Sequence, residues 1–150
     1  MNFANPDDNA LRALLDSVKT IAVVGLSPQP ARPSYRVAQA MQRYGYRIVP
    51  VRPLADEVLG EKAYASLADI PFAVDLVDVF RAAEHVPAIV DQCLALHSTQ
   101  RPFSTAQHLP AAIWLQEGIV HEAAAQRAQA GGMTVAMDRC LLKEYVRLNT

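Results

Sequence analysis

Short apolar runs alternate with longer amphipathic segments along this chain, and this alternation constrains the fold more than any other feature. The runs are TIAVVG, YRIVPV, a weaker EKAYAS, VDLVDVF, AIWLQ and MTVAM, starting at residues 20, 46, 61, 74, 112 and 133. The longer segments, such as PSYRVAQAMQRYG from residue 33, repeat apolar residues at helical spacing. Such alternation predicts an α/β fold, a doubly wound parallel sheet with helices on both faces. We expect the strand order 3-2-1-4-5-6, with the weak third run at an edge.

The composition predicts one folded domain spanning residues 1–150. Hydrophobic residues make up 51% of the chain and charged residues 19%, which excludes a disordered chain. The net charge of −1 argues against binding to nucleic acid or to an anionic membrane surface. Two cysteines are too few for a disulfide framework, and the acidic start lacks the features of a signal peptide. We therefore expect a cytoplasmic protein.

One connection is longer than the alternating pattern requires. The segment HSTQRPFSTAQHLP, residues 97–110, exceeds the median connection of about 4–6 residues in compact domains. Because it leads into a strand, we expect it on the far side of the sheet from a ligand crevice. We interpret it as a tolerated long loop, with a binding lid and an oligomer contact as the alternatives.

The sheet predicts where a ligand would bind. In doubly wound sheets, ligands bind outside the carboxyl ends of the strands, where the winding direction reverses. The loops that follow Val24, Val51, Val79 and Leu115 should therefore meet in one crevice.

The loop after the leading strand, GLSPQPARPSY at residues 25–35, is suited to hold an anion. Gly25 allows a sharp turn and a close approach of the backbone to a ligand, and three prolines fix the path of the loop. Pro33 suits the first turn of the next helix, where the amides of residues 34–36 would be free to bind phosphate. A simple strand-to-helix connection capped by serine is the alternative, because the second and third glycines of the usual nucleotide-binding fingerprint are missing.

A cation follows the second predicted strand. NAD-binding domains usually carry an acidic residue near this position, but here the chain reads VPVRP, with Arg52 at the tip. An arginine there suits a ribose that bears its own phosphate, as in NADP or coenzyme A (CoA). A surface arginine beside a proline turn is the alternative.

Few residues indicate catalytic or metal chemistry. The four histidines show no metal-ligand spacing, and His85 and His121 fall near predicted helix starts. Asp75 and Asp78 should project to opposite faces of their strand, with Asp75 marking the strand entry and Asp78 near the crevice. We interpret Cys93 as core and Cys140 as a structural thiol, with a mixed disulfide between Cys140 and CoA as the alternative. We therefore predict neither catalytic residues nor a metal site.

The motifs VVGLSPQPARPSYRVAQAM, YRIVPVRP, LGEKAYASLADIP, VDLVDVFR, WLQEGI and MDRC together resemble a known family. They are similar, in order and over about residues 11–148, to the small single-domain CoA-binding proteins. That family is in turn similar to the Rossmann-like CoA-binding N-terminal domain of the succinyl-CoA synthetase alpha subunit. The resemblance implies a Rossmann-like fold and CoA or an acyl-CoA as the ligand.

The resemblance also implies which residues bind the ligand. The loop would lie over the CoA phosphates, the end of the second strand would face the adenosine, and the next loops would follow the pantetheine arm. In that order, the implied residues are Gly25, Leu26, Ser27, Pro28, Arg32, Ser34 and Tyr35; Val51, Arg52 and Pro53; Phe80 and Arg81; and Gln116, Glu117 and Gly118.

Two departures from the family limit what carries over. Arg52 replaces a small amide residue in the family's VNP, so adenosine contacts would differ, with a stronger preference for the 3′-phosphate. The resemblance does not reach the domain that holds the synthetase's phosphorylated histidine, so we expect no ligase chemistry. An NADP-binding oxidoreductase-like domain and a non-enzymatic regulatory or interaction module remain alternatives. The sequence leaves the acyl group, the oligomeric state and any protein partner open.

Overall fold

The computed structural model describes residues 3–54, 56–96 and 108–150, and these contain five α-helices, two short 3₁₀ helices and seven strands. The helices are α1 (Asp8–Ser17), α2 (Pro33–Arg43), α3 (Val86–Ala95), α4 (Glu122–Ala130) and α5 (Leu141–Leu148). The strands are β1 (Thr20–Val24), β2 (Arg47–Val51), β3 (Glu57–Val58), β4 (Glu61–Lys62), β5 (Leu76–Val79), β6 (Ala112–Leu115) and β7 (Thr134–Ala136). Most of the predicted long loop, residues 97–107, lies outside the described residues.

Five strands form one parallel sheet in the order β2-β1-β5-β6-β7. On the central strand β1, Ile21 lies opposite Ile48 of β2 on one side and Leu76 of β5 on the other. The predicted α/β class, the Rossmann-like doubly wound sheet and the relative order of these five strands are confirmed.

The weak third run reaches the predicted edge but hardly extends the sheet. β4 pairs antiparallel with β3 in a separate two-stranded sheet, and a single parallel bridge joins Tyr64 to Val51. The run is too polar to be covered on both faces: Glu61 and Lys62 remain partly or largely exposed, and only Ala63 is buried. The third strand is therefore reduced to a hairpin beside β2.

The sheet separates two hydrophobic cores. Ala22 and Val24 of β1 belong to the core covered by α3 and α4, whereas Ile21 and Val23 belong to the core covered by α1, α2 and α5. Strand residues alternate between faces, so a strand covered on both faces is apolar throughout. This explains why β1, β5 and β6 read as nearly unbroken apolar runs.

The two helices nearest the leading strand begin and end at the residues that the sequence indicates. Asp7 caps α1, accepting a hydrogen bond from the Ala10 amide at 2.9 Å. Pro33 opens α2, and Gly45 follows its end with a φ of +104°. Helical spacing predicts Tyr44 on the buried face of α2, but it is 48% exposed and stacks on Tyr145 with 4.3 Å between ring centroids.

Buried or partly buried carboxylates fix the ends of other elements. Asp75 accepts hydrogen bonds from the Lys19 and Thr20 amides, so it marks the entry to the sheet as predicted. Glu144 on α5 pairs with Arg139 and Arg147, and Arg147 also binds Asp8 of α1. In the described part of the chain, no helix is long and apolar enough to span a membrane.

Candidate functional site

The loops that follow β1, β2, β5 and β6 meet at one edge of the sheet. The Gly25 amide donates to the Val51 carbonyl at 2.9 Å, and the Phe80 amide donates to the Val24 carbonyl at 2.9 Å. These bonds place the starts of neighbouring loops side by side. The predicted convergence at the carboxyl ends of the strands is therefore present.

Two cavities open at this edge. The loop cavity has a volume of about 450 Å³ and is lined mostly by the segment after β1, together with residues from two other loops: Gly25, Ser27, Pro28, Gln29, Arg32, Pro33, Ser34, Arg52 and Phe80. The lateral cavity has a volume of about 510 Å³ and lies towards β6 and α5, lined by Pro33, Val37, Phe80, Arg81, Ala82, Gln116, Glu117, Ile119 and Cys140. Pro33 and Phe80 belong to both, so the cavities are neighbours that share a wall.

Gly25 is required by its surroundings as well as by its own conformation. Its φ is +88°, and a Cβ atom there would lie 2.8 Å from the Phe80 carbonyl oxygen and 3.0 Å from the Arg81 side chain. Any other residue would push the loop after β1 away from the loop after β5. Gly25 therefore determines how closely the loop after β1 approaches the loop after β5.

The polar side chains of the loop hold the loop itself. The Ser34 hydroxyl accepts from the Ser27 amide at 3.0 Å, and the Ser27 hydroxyl accepts from the Gln29 amide at 3.1 Å. The Arg32 amide donates to the Gln29 carbonyl at 3.0 Å. The loop is thus closed upon itself before any ligand binds, which lowers the entropy lost on binding.

The start of α2 offers fewer free amides than the sequence suggested. The Arg36 amide donates to the Arg32 carbonyl at 3.2 Å and is therefore not available to a ligand. The amides of Ser34 and Tyr35 donate to no acceptor among residues 3–54, 56–96 and 108–150. Two donors remain at the positive end of the helix dipole, and Ser34 lines the loop cavity.

Arg52 brings a cation to the same cavity. Its Nη1 atom lies 3.4 Å from the Leu26 carbonyl oxygen, and its Nε atom is buried without a hydrogen-bond partner in the described structure. A buried donor without a partner is costly, so it is a natural point of attachment for an anionic group. The loop cavity therefore combines backbone donors with a guanidinium group.

Several predicted ligand residues do not line either cavity. The Leu26 side chain is fully buried in the core, and Tyr35 packs against the same core. Val51 contributes the carbonyl that holds Gly25, while Pro53 is exposed beyond it. Gly118 has a φ of +82°, and its amide donates to the Asp138 carboxylate at 2.7 Å. These five residues flank the site without lining either cavity.

The loops after β5 and β6 form the wall of the lateral cavity. Gln116 is buried and donates through Nε2 to the Asp78 carboxylate at 2.7 Å. Burial raises the pKa of Asp78 to about 7, and the Gln116 hydrogen bond lowers it only in part. Glu117 is exposed and pairs with Lys143 at 2.9 Å.

The structure adds residues that sequence reasoning did not assign to the site. Cys140, treated as a structural thiol, lies on the lateral cavity at the start of α5, whereas Cys93 is buried in the core with its pKa raised to about 12 by burial. Val37, Ala82 and Ile119 also line this cavity. The sequence could have indicated Val37, because it lies one helical turn after Pro33. Nothing in the sequence indicates that Ala82 or Ile119 lines a cavity.

The described histidines serve the backbone or lie at the surface. His121 caps α4, its Nδ1 atom accepting from the Ala124 amide at 3.1 Å, and His85 is exposed just before α3. Across the described residues, no group of three His, Cys, Asp or Glu side chains is arranged to hold a metal ion. The arrangement as a whole provides donors for an anion at one end and mainly apolar walls at the other.

Comparisons with known proteins find relatives that match nearly the whole chain. The chain is 41% identical over 137 residues to the Bacillus subtilis protein YneT, covering 91% of this chain and 93% of YneT. A solved Thermus thermophilus structure, cell-free ID.343, superposes with a TM-score of 0.83 at 37% identity, covering 95% of this chain and 99% of the other.

A larger enzyme shares part of the same sequence. Acetate–CoA ligase [ADP-forming] II of Archaeoglobus fulgidus is 34% identical over 77 residues, which cover 50% of this chain but only 11% of the ligase. The sequence profile of the CoA binding domain matches residues 19–146. The predicted family is confirmed: this chain belongs to the CoA binding domain family.

Proposed function

We propose that this chain binds CoA or an acyl-CoA through the loop cavity and the lateral cavity together. The loop would hold the diphosphate, and the lateral cavity would hold the arm that ends in the thiol or thioester. The protein would have no catalytic residues of its own and would act in the cytoplasm. Family membership supports the ligand class.

The observation that carries this proposal is the difference in character between two neighbouring cavities. The loop cavity has free amides at the start of α2 and an arginine whose Nε atom lacks a partner in the described structure. The lateral cavity is lined mainly by apolar groups, among them Val37, Phe80 and Ile119. CoA has the same polarity, because its charged nucleotide end continues into a long, uncharged arm.

The proposal assigns each predicted residue a place along the ligand. Residues 25–35 would face the phosphates, with Gly25, Ser27, Pro28, Arg32 and Ser34 on the cavity and Leu26 and Tyr35 supporting them. Arg52, between Val51 and Pro53, would face the adenosine and its 3′-phosphate. Phe80 and Arg81 would bound the path of the arm towards Gln116, Glu117 and Gly118.

A thermal-shift panel tests this ligand class against the alternatives. A ligand that binds only the folded state raises the melting temperature by mass action. We expect CoA and acetyl-CoA to raise it more than NADP or NAD at equal concentration. An NADP-binding oxidoreductase-like domain, which Arg52 would also suit, predicts the larger shift with NADP. A regulatory or interaction module predicts no shift with any of the four.

A further inference from the structure

The side chain of Asp78 is fully buried at the carboxyl end of β5, close to the lateral cavity. Aspartate is almost never fully buried without a charged partner, because burial strongly disfavours its ionised form. Here one carboxylate oxygen, Oδ1, accepts from Gln116 Nε2, and the other, Oδ2, has no partner among the described residues. No arginine or lysine of the described chain forms an ion pair with it. Packing alone does not explain a carboxylate here.

Gln116 connects this carboxylate to the cavity. Gln116 lines the lateral cavity, but its exposed fraction is only 4%, so most of its surface is buried against other residues. The Oε1 atom of Gln116 accepts no hydrogen bond from the part of the chain that the structure describes. It differs from Asp78 Oδ2, which is buried without a partner in that part of the chain. An ionised carboxylate can only accept hydrogen bonds. In its ionised form Asp78 therefore fixes the amide with its NH₂ group inwards, and no described residue donates to the Gln116 oxygen.

We propose that Asp78 is a positioning residue that holds the Gln116 amide so that Oε1 accepts a hydrogen bond from an amide N–H on the arm of the ligand. This deepens the proposed function, on which it rests. The mainly apolar walls of the lateral cavity leave few groups that could satisfy a polar atom of the arm. A fixed acceptor there selects an arm that carries a secondary amide over a purely hydrocarbon chain. The pantetheine arm of CoA carries two such amides.

Protonation of Asp78 would change what Gln116 presents. A protonated carboxyl group can donate to Gln116 Oε1, so the amide could turn and present its NH₂ group to the cavity. The other ionisable side chains on this cavity are Arg81, Glu117 and Cys140, and Glu117 is paired with Lys143. Substituting Asp78 with asparagine removes the titration of residue 78 and replaces one carboxylate oxygen with an NH₂ group, so the variant represents the uncharged state at every pH.

The experiment is a calorimetric comparison of two ligands on the full chain. CoA is one ligand, and adenosine 3′-phosphate 5′-diphosphate, which keeps the charged end of CoA but lacks the arm, is the other. We expect Gln116→Leu and Asp78→Leu each to weaken CoA binding about tenfold, as for the loss of one hydrogen bond, and to leave the armless ligand within about twofold. Asp78→Asn offers Gln116 a donor, as the protonated carboxyl group does, so we expect its ratio of CoA affinity to armless-ligand affinity at pH 8 to equal that of the wild type at pH 6.

The pH profile separates positioning from a purely structural role. In the wild type, we expect the ratio of CoA affinity to armless-ligand affinity to fall as the pH is lowered from 8 to 6. In Asp78→Asn, the ratio should stay constant. Equal weakening of both ligands in the leucine variants, unchanged CoA binding in them, or the same pH profile in wild type and Asp78→Asn would each overturn the inference. If the wild type binds neither ligand, the proposed function itself fails.

Discussion

Gly25 is the residue on which the geometry of the site depends most directly. Its positive φ permits the turn out of β1, and its missing side chain allows the Phe80 carbonyl to approach. Sequence alone identifies this glycine, because it ends an apolar strand before a helix. The contact with Phe80 could not be predicted, since it joins segments 55 residues apart in the chain.

Substituting Gly25 tests this contact. We expect Gly25→Ala to lower the free energy of unfolding by about 3 kcal/mol, from backbone strain together with the clash. Gly60→Ala is the matched control, because Gly60 has a φ of +76° and a Cβ atom there would meet nothing within 4 Å. It should cost only about 1–2 kcal/mol for the left-handed backbone. Urea denaturation measures both, and equal losses would contradict the role of the Phe80 contact.

Asp78 makes stability depend on pH in a direction opposite to that of most carboxylates. Its ordinary pKa is 3.8, whereas burial raises it to about 7 in the folded protein. Between these values the folded state binds more protons than the unfolded chain, so this group lowers stability as the pH rises from about 4 to 7. We expect Asp78→Asn to melt at a higher temperature than the wild type at pH 8, with the difference shrinking towards pH 5. A difference that stays constant over this range would contradict the assignment.

Among the secondary-structure elements, α2 contributes most to the proposed phosphate site, because its first turn has the free amides. Helix propensity and Pro33 are enough to predict where α2 begins. The number of free amides cannot be predicted in this way, because it depends on whether the first helical hydrogen bond comes from the Arg36 amide or from the next one. Here it comes from the Arg36 amide. The hydroxyl oxygens of Ser27 and Ser34 accept hydrogen bonds from amides of the loop, and their O–H groups can still donate to a ligand, as the sequence predicts.

Two substitutions that each introduce a carboxylate test the phosphate site. We expect Ser34→Glu at the start of α2 and Arg52→Glu after β2 each to weaken CoA binding at least tenfold, because both place a carboxylate beside the proposed phosphates. Arg43→Glu is the control, since it makes the same change of charge as Arg52→Glu at the far end of α2. The measurement is calorimetric affinity at fixed ionic strength. If neither variant weakens binding relative to this control, the site is misassigned even though CoA binds.

At the scale of the whole molecule, the order of the sheet places the ends of four strands at one edge. Apolar runs identify β1, β2, β5, β6 and β7, and the doubly wound class supplies their expected order. The same reasoning overestimates the third run, since charged residues at 61 and 62 keep that edge from extending. The division into two cavities could not be predicted, because it depends on the folded positions of Pro33 and Phe80, which line both cavities.

Isothermal titration of the wild-type protein with CoA is the most direct test of the account. The preformed loop, the free amides of α2 and Arg52 predict saturable binding of one CoA per chain. Binding should weaken with added salt, because charged groups hold the phosphates. The armless adenosine 3′-phosphate 5′-diphosphate should bind less tightly than CoA, since it leaves the lateral cavity empty. No detectable heat with CoA or acetyl-CoA at millimolar concentration would contradict the account.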